Sequence, residues 1–205
     1  MPRPIRLLLL AGLAIIMFYF IGEAFTGEEQ YIATVEGSRQ EKDRSFRLAS
    51  DSPLPAEEKA VFTGLKYYPV DPQYRVEATF EPVARPDTVW LTMTKGESEA
   101  YLRHARGIFE LEGRQQTLML FLRAGDQERE LFVPFTDKTN GFETYGGGRY
   151  LDVPLPQPGS ATITLDFNRA YSPFCAFDDA FACPVPPAEN RLQVPIPAGE
   201  KAFHD

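Results

Sequence analysis

YRVEATF, residues Tyr74 to Phe80, decides how the chain is read. Tyr74, Val76, Ala78 and Phe80 alternate with Arg75, Glu77 and Thr79. Side chains of an extended chain point to opposite faces in turn, so this pattern predicts a half-buried strand. Further short apolar runs follow at Thr88 to Met93, Ile108 to Leu111, Thr117 to Leu122, Glu130 to Phe135, Gly148 to Val153, Ala161 to Phe167 and Leu192 to Ile196. Glu112-Gly113-Arg114-Gln115 reads as a hairpin turn between two of them. Turn pairs at Asp71-Pro72, Gly125-Asp126, Asn140-Gly141, Pro158-Gly159 and Ala198-Gly199 separate the rest. Many short strands without alternating helices predict a mainly β chain, an antiparallel β-sandwich or barrel-like domain preceded by an N-terminal α-helix. No internal repeat or low-complexity tract is visible.

The 205 residues divide into three expected parts: 1–25 a signal anchor or signal peptide, 26–52 a helix and linker, and 53–205 one β-rich domain. Arg3 and Arg6 precede an uncharged run from Leu7 to Gly22, the order found in a signal peptide or signal anchor. The run is short for a span, which needs about 20 residues. Gly22 and Ala24 have the small-x-small spacing of a cleavage site, while Phe18, Tyr19 and Phe20 resemble an interfacial aromatic belt and favour the anchor. Either way the domain is expected in the cell envelope, on the extracytoplasmic side, or secreted or periplasmic if the leader is cut. Thr26-Gly27-Glu28-Glu29 has capping-box spacing and predicts a helix from there to about Leu48, stopped at Ser50-Asp51-Ser52-Pro53. Its second half is mostly charged, as in a solvated helix between membrane and domain; a partner-binding helix is the sharper alternative.

Net charge is −8, which argues against nucleic acid as a partner because phosphate binding needs a basic patch. Two cysteines, Cys175 and Cys183, lie in the later part of the chain. In an exported domain a disulfide between them is the favoured reading, stabilising by roughly 2.5 kcal/mol in the chain-entropy model. Free thiols and half of a metal site are the alternatives. Zinc needs about four ligands and the chain has only two histidines, so no metal and no cofactor are expected.

Polar chemistry concentrates in DKTNGFETYGGGRYLDV, Asp137 to Val153. Its glycines at 146 to 148 permit positive φ and close backbone approach, and could expose amides as an anion nest. In ATITLDFN, Asp166 and Asn168 are expected on one face, with Ala161, Ile163, Leu165 and Phe167 on the other. Arg149 could pair with Asp166, or with a ligand carboxylate or phosphate. Asp137 or Glu200 with Asp166 could supply an acid and a base. No well-placed histidine, nucleophile elbow, CxxC, Walker or Rossmann fingerprint accompanies them.

FVPFTDKTNGFETYGGGRYLDV, LDFNRAYSPFCAF and CPVPPAENRLQVPIPAGEK, with SPL at Ser52 to Leu54 and FTGLKYYPVDPQYRV from Phe62, resemble the uncharacterised family DUF1684. The likeness runs from about Tyr31 to Lys201. It implies a small β-rich domain, often behind an N-terminal signal or anchor, and no established activity. The residues it marks include Asp137, Thr139, Thr144, Tyr145, Arg149, Tyr150, Asp166, Asn168, Tyr171 and Glu200, together with both cysteines. The expected role is binding of a small polar or anionic ligand or an envelope component. Arg149 would hold the anion, Asp137, Asp166 and Asn168 would orient hydroxyls, and tyrosines would wall the pocket around a sugar ring or another flat ligand. A hydrolase using Asp166 with Asp137 or Glu200, and a structural envelope protein, are the other classes.

Overall fold

The structure is a computed structural model that describes the backbone of residues 3–123 and 130–204, and side chains from residue 26 onward within those ranges. Two compact units are present, Met1–Gln40 and Glu41–Asp205. Helix α1 runs Arg3–Leu48, and its residues up to Gln40 make the first unit. There the hydroxyls of Thr34 and Ser38 donate to carbonyls one turn back, at 2.7 and 3.0 Å. The helix ends where expected but does not begin at Thr26. The backbone before Thr26 is already helical, so the amides at 26–29 need no capping box. Among the described residues no helix is long and apolar enough to cross a membrane. The anchor or signal expected at 1–25 has its side chains outside the described residues.

The second unit is an antiparallel sheet curled into a half-barrel. Its strands are β1 (Arg75–Pro82), β2 (Thr88–Thr92), β3 (Ser98–Leu111), β4 (Arg114–Arg123), β5 (Glu130–Phe135), β6 (Arg149–Pro154) and β7 (Thr162–Asp166). The order is β6-β5-β4-β3-β1-β7, with β2 also paired to β3. A short helix α2 (Ala56–Val61) was not expected from the sequence.

Each strand position follows from local chemistry. Glu112 and Gly113 have φ of 53° and 67°, the left-handed pair that a two-residue hairpin requires. Arg114, Gln115 and Gln116 are therefore strand residues and not part of the turn. β3 is much longer than the apolar run Ile108–Leu111 because a bulge between Arg103 and Ala105 interrupts its alternation. Tyr101 and Phe109 have the same parity, yet lie in different apolar clusters on either side of that bulge.

Both faces of the central strands are covered, which explains their near-continuous apolar runs. One face carries Leu118, Leu120, Leu131, Val133, Phe135, Leu151 and Val153. Met119, Phe121, Phe132 and Tyr150 alternate with them and join Leu91 and Tyr101 in a second cluster. A third cluster packs Phe46, Leu54 and Phe62 against Ala176 and Phe177.

Leu192 to Ile196 is not a strand of the sheet. Leu192, Val194, Ile196 and Ala198 enter the main core at every second residue, yet only a few parallel hydrogen bonds, such as Leu192 N–H to the Thr136 carbonyl at 2.8 Å, join this segment to its neighbour. Asn190 starts it at a seam between β4 and β5. Its carboxamide accepts from the Met119 N–H at 2.7 Å and donates to the Met119 and Pro134 carbonyls at 2.9 and 2.8 Å. Pro134 has no N–H to give Met119, so a side-chain amide takes the place of a strand contact. Thr136 then pairs in parallel with Arg191.

Gly148 occupies another tight point, with φ of 96° and room for a Cβ only 2.7 Å from the Phe135 carbonyl oxygen and Pro186. Gly148→Ala is expected to destabilise by about 2–4 kcal/mol through strain and overpacking. Gly159→Ala, at φ 84° with open space, should cost only about 1 kcal/mol. Urea unfolding of the two variants checks the difference; equal losses would show that the close approach at Gly148 does not matter.

Candidate functional site

Arg149 stands at the start of β6 and is completely buried. Its Nη2 donates to Asp137 Oδ2 at 2.9 Å and to the Ile196 carbonyl at 2.8 Å. Nη1 donates to the Ala198 carbonyl and, at 3.2 Å, to that of Glu200. The guanidinium carbon lies 5.5 Å from the Phe135 ring centroid. Nε has no protein partner among the described residues. Arg149 thus supplies the donors that a neighbouring strand would have given the C-terminal segment. Its acidic partner is Asp137 and not Asp166, and both terminal nitrogens are engaged within the fold.

Asp137 is saturated in turn. Its Oδ1 accepts from the Thr139 N–H at 2.8 Å, the Thr139 hydroxyl at 2.6 Å and the Ile196 N–H at 3.1 Å. Thr144 closes the same loop, 2.9 Å from the Thr139 hydroxyl and 2.9 Å from the Asn140 amide nitrogen. Glu200 is buried, accepts from the Ser172 N–H at 2.8 Å and pairs with Lys42.

Asp166 and Asn168 do not share a sheet face, because β7 ends at Asp166 and a single turn of 3-10 helix follows. Asp166 pairs with Arg169 at 3.3 Å, and the buried Asn168 binds the Asp71 backbone through both amide atoms, at 2.9 and 2.7 Å. The three carboxylates of the hydrolase reading are each engaged within the fold, and none lines the cavity described next.

That cavity, about 310 Å³, lies over the second apolar cluster. Phe132, Tyr150 and Tyr171 form one side; Pro173, Phe174, Phe181, Cys183 and Pro184 form another. Arg123, Glu130 and Asp152 supply its charge. Strand register explains the grouping: Phe132 is opposite Asp152, and Glu130 and Tyr150 are two residues along from each on the same face. Arg123 is held by Glu99 at 3.2 Å. The Tyr171 hydroxyl donates to Asp152 at 2.6 Å, and the Tyr150 hydroxyl donates to the Pro184 carbonyl. Burial, reinforced at Tyr171 by the neighbouring Asp152, pushes both phenols above their ordinary range and keeps them as donors.

Of the ten residues singled out in the sequence, Tyr150 and Tyr171 reach this cavity. Asp137, Thr139, Thr144 and Arg149 form the buried lock. Tyr145 turns to Cys175, its hydroxyl 3.8 Å from the sulfur. Arg123, Glu130, Phe132, Asp152, Phe174 and Phe181 were missed. Alternation in ELFVPF and RYLDVP carried the signal for Glu130, Phe132 and Asp152.

The expected disulfide is not formed; both cysteines are free thiols. Cys183 Sγ instead accepts the Cys175 N–H at 3.2 Å. Among the described residues no cluster of three or more histidine, cysteine or acidic side chains could hold a metal.

The fold and site define an antiparallel half-barrel with a buried arginine lock and an aromatic-walled cavity. The family model "Protein of unknown function (DUF1684)" matches residues 60–201, and the chain belongs to that family. It is also similar to the solution NMR structure of an uncharacterized protein from gene locus rrnAC0354 of Haloarcula marismortui. The two share 43% sequence identity with a TM-score of 0.70, over 87% of this chain and 97% of that one. A search of curated proteins found no match.

Removing one member of a buried, hydrogen-bonded ion pair leaves the other charge unpaired, at a cost of about 3–5 kcal/mol. Arg149→Met should lose stability on this scale in urea unfolding. Arg149→Lys should recover little of it, since an ammonium cannot reproduce the planar fork that reaches Asp137 and the carbonyls together. A stable, fully folded Arg149→Met protein would refute the lock.

Proposed function

We propose that this chain is a small-molecule binding protein whose ligand is a polar ring, of the kind a saccharide presents, held in the cavity over Phe132 and Tyr150. The observation that carries this reading is the combination of aromatic walls with three charged side chains in one hollow of about 310 Å³. That volume lies at the small end of typical ligand sites, which are mostly apolar with a few placed polar groups. Aromatic rings offer flat faces to the apolar side of a sugar. Glu130 and Asp152 would accept hydroxyl protons, and Arg123 would donate.

The reading keeps the tyrosine walls expected from the sequence but moves the polar contacts to other residues. Asp137 and both terminal nitrogens of Arg149 are already engaged within the fold. The basic-then-apolar start of the chain supports attachment to a membrane or export, so we place the binding at the cell envelope, facing outward. A structural role is the second reading, favoured by the number of motif residues committed to the fold.

Isothermal titration against a panel of monosaccharides, disaccharides and amino sugars tests the proposal. At least one should bind. Phe181→Ala and Asp152→Asn should weaken it by roughly tenfold or more, equivalent to about 1.4 kcal/mol, while the unfolding midpoint stays near that of the parent. Binding that ignores both substitutions, or no binding across the panel, would leave the structural role standing.

A further inference from the structure

We propose that Cys175 and Cys183 form a reactive dithiol, with Cys175 the nucleophile toward hydroperoxides and Cys183 the thiol that resolves the product. The two sulfurs belong to one loop that also supplies a wall of the cavity. Cys175 sits in the 3-10 turn Phe174–Ala176 and is half-buried, so a small oxidant can reach it. Cys183 is buried beside it, with its Sγ 3.2 Å from the Cys175 amide nitrogen. The Tyr145 hydroxyl approaches the Cys175 sulfur to 3.8 Å. The Thr94 hydroxyl oxygen accepts the Cys183 N–H at 3.1 Å.

A thiol and a phenol therefore flank Cys175. Such donors favour a thiolate over a thiol. The hydrogen bond from Cys183 is the largest influence and lowers the Cys175 pKa, against the opposing effect of burial; the Cys183 pKa is raised correspondingly. These directions favour Cys175 as the nucleophile of the pair.

The chemistry balances with one hydroperoxide. The Cys175 thiolate attacks the terminal peroxide oxygen; an S–O bond forms, the O–O bond breaks, and the leaving alkoxide takes up a proton as an alcohol. Cys175 is now a sulfenic acid. The Cys183 sulfur attacks it, the S–S bond forms and the S–O bond breaks. Hydroxide leaves and takes the Cys183 proton as water. Two thiols are oxidised by two electrons, and the peroxide is reduced to alcohol and water. This differs from the permanent staple expected from the sequence, because the reduced pair is itself a defined arrangement with a polarised outer sulfur. It does not depend on what the cavity binds.

The full-length chain, purified under reductant, is treated with one equivalent of hydrogen peroxide and digested for mass spectrometry. Peptides joined through Cys175 and Cys183 are expected. In Cys183→Ser, dimedone should trap a sulfenic acid at Cys175; in Cys175→Ser, none should appear at Cys183. A second measurement needs no variant: at neutral pH, iodoacetamide should alkylate Cys175 of the folded parent roughly tenfold faster than the same cysteine in the urea-unfolded chain. Slower alkylation in the folded protein, two intact thiols after peroxide, or cross-links only between separate molecules would each overturn the proposal.

Discussion

The fold depends on a buried guanidinium. Arg149 and Asp137 face each other in the interior, and the terminal nitrogens of Arg149 also donate to the carbonyls of Ile196, Ala198 and Glu200. Prolines at 195 and 197 have no N–H to contribute to a ladder. Its carbonyls still need partners once Val194, Ile196 and Ala198 are buried. One arginine meets that need where a strand cannot. The glycines and threonines of the preceding loop bring Asp137 to the point where it can balance the charge.

This accounts for the motif that draws the eye in the sequence. Charged and hydroxylated residues around glycines are as well suited to holding a loop as to holding a ligand, and here they hold the loop. Asp137 alone accepts from Thr139, Ile196 and Arg149. The groups facing the cavity come from quieter stretches. Glu130 and Asp152 are ordinary outward residues of their strands until the segment from Pro173 to Pro184 is laid over them.

Much of the fold was legible because alternation survives in short strands. β1, β2, β5, β6 and β7 fall close to the runs picked out by period two. Where the reading failed, a physical event hid the pattern. A bulge reversed the parity of β3 beside His104, so counting by twos puts Tyr101 and Phe109 on one face although they lie in different clusters. Leu192 to Ile196 alternates like a strand but keeps only a few parallel hydrogen bonds to Thr136 and Lys138. Asp166 and Asn168 parted because the strand stopped between them. Of the residues singled out in the sequence, Tyr150, Tyr171 and Cys183 reach the site; its wall from Pro173 to Pro184 depends on the path of a loop, which no local spacing encodes.

The Asn190 bridge has a consequence in time as well as in space. All seven strands are complete by Asp166, but Asn190 and the carbonyls gripped by Arg149 come later in the chain. During synthesis the sheet emerges with its central seam open and a charged pair awaiting its partners. The nascent domain can collapse early, yet its interior is sealed only by residues made after the last strand, as one late closing step.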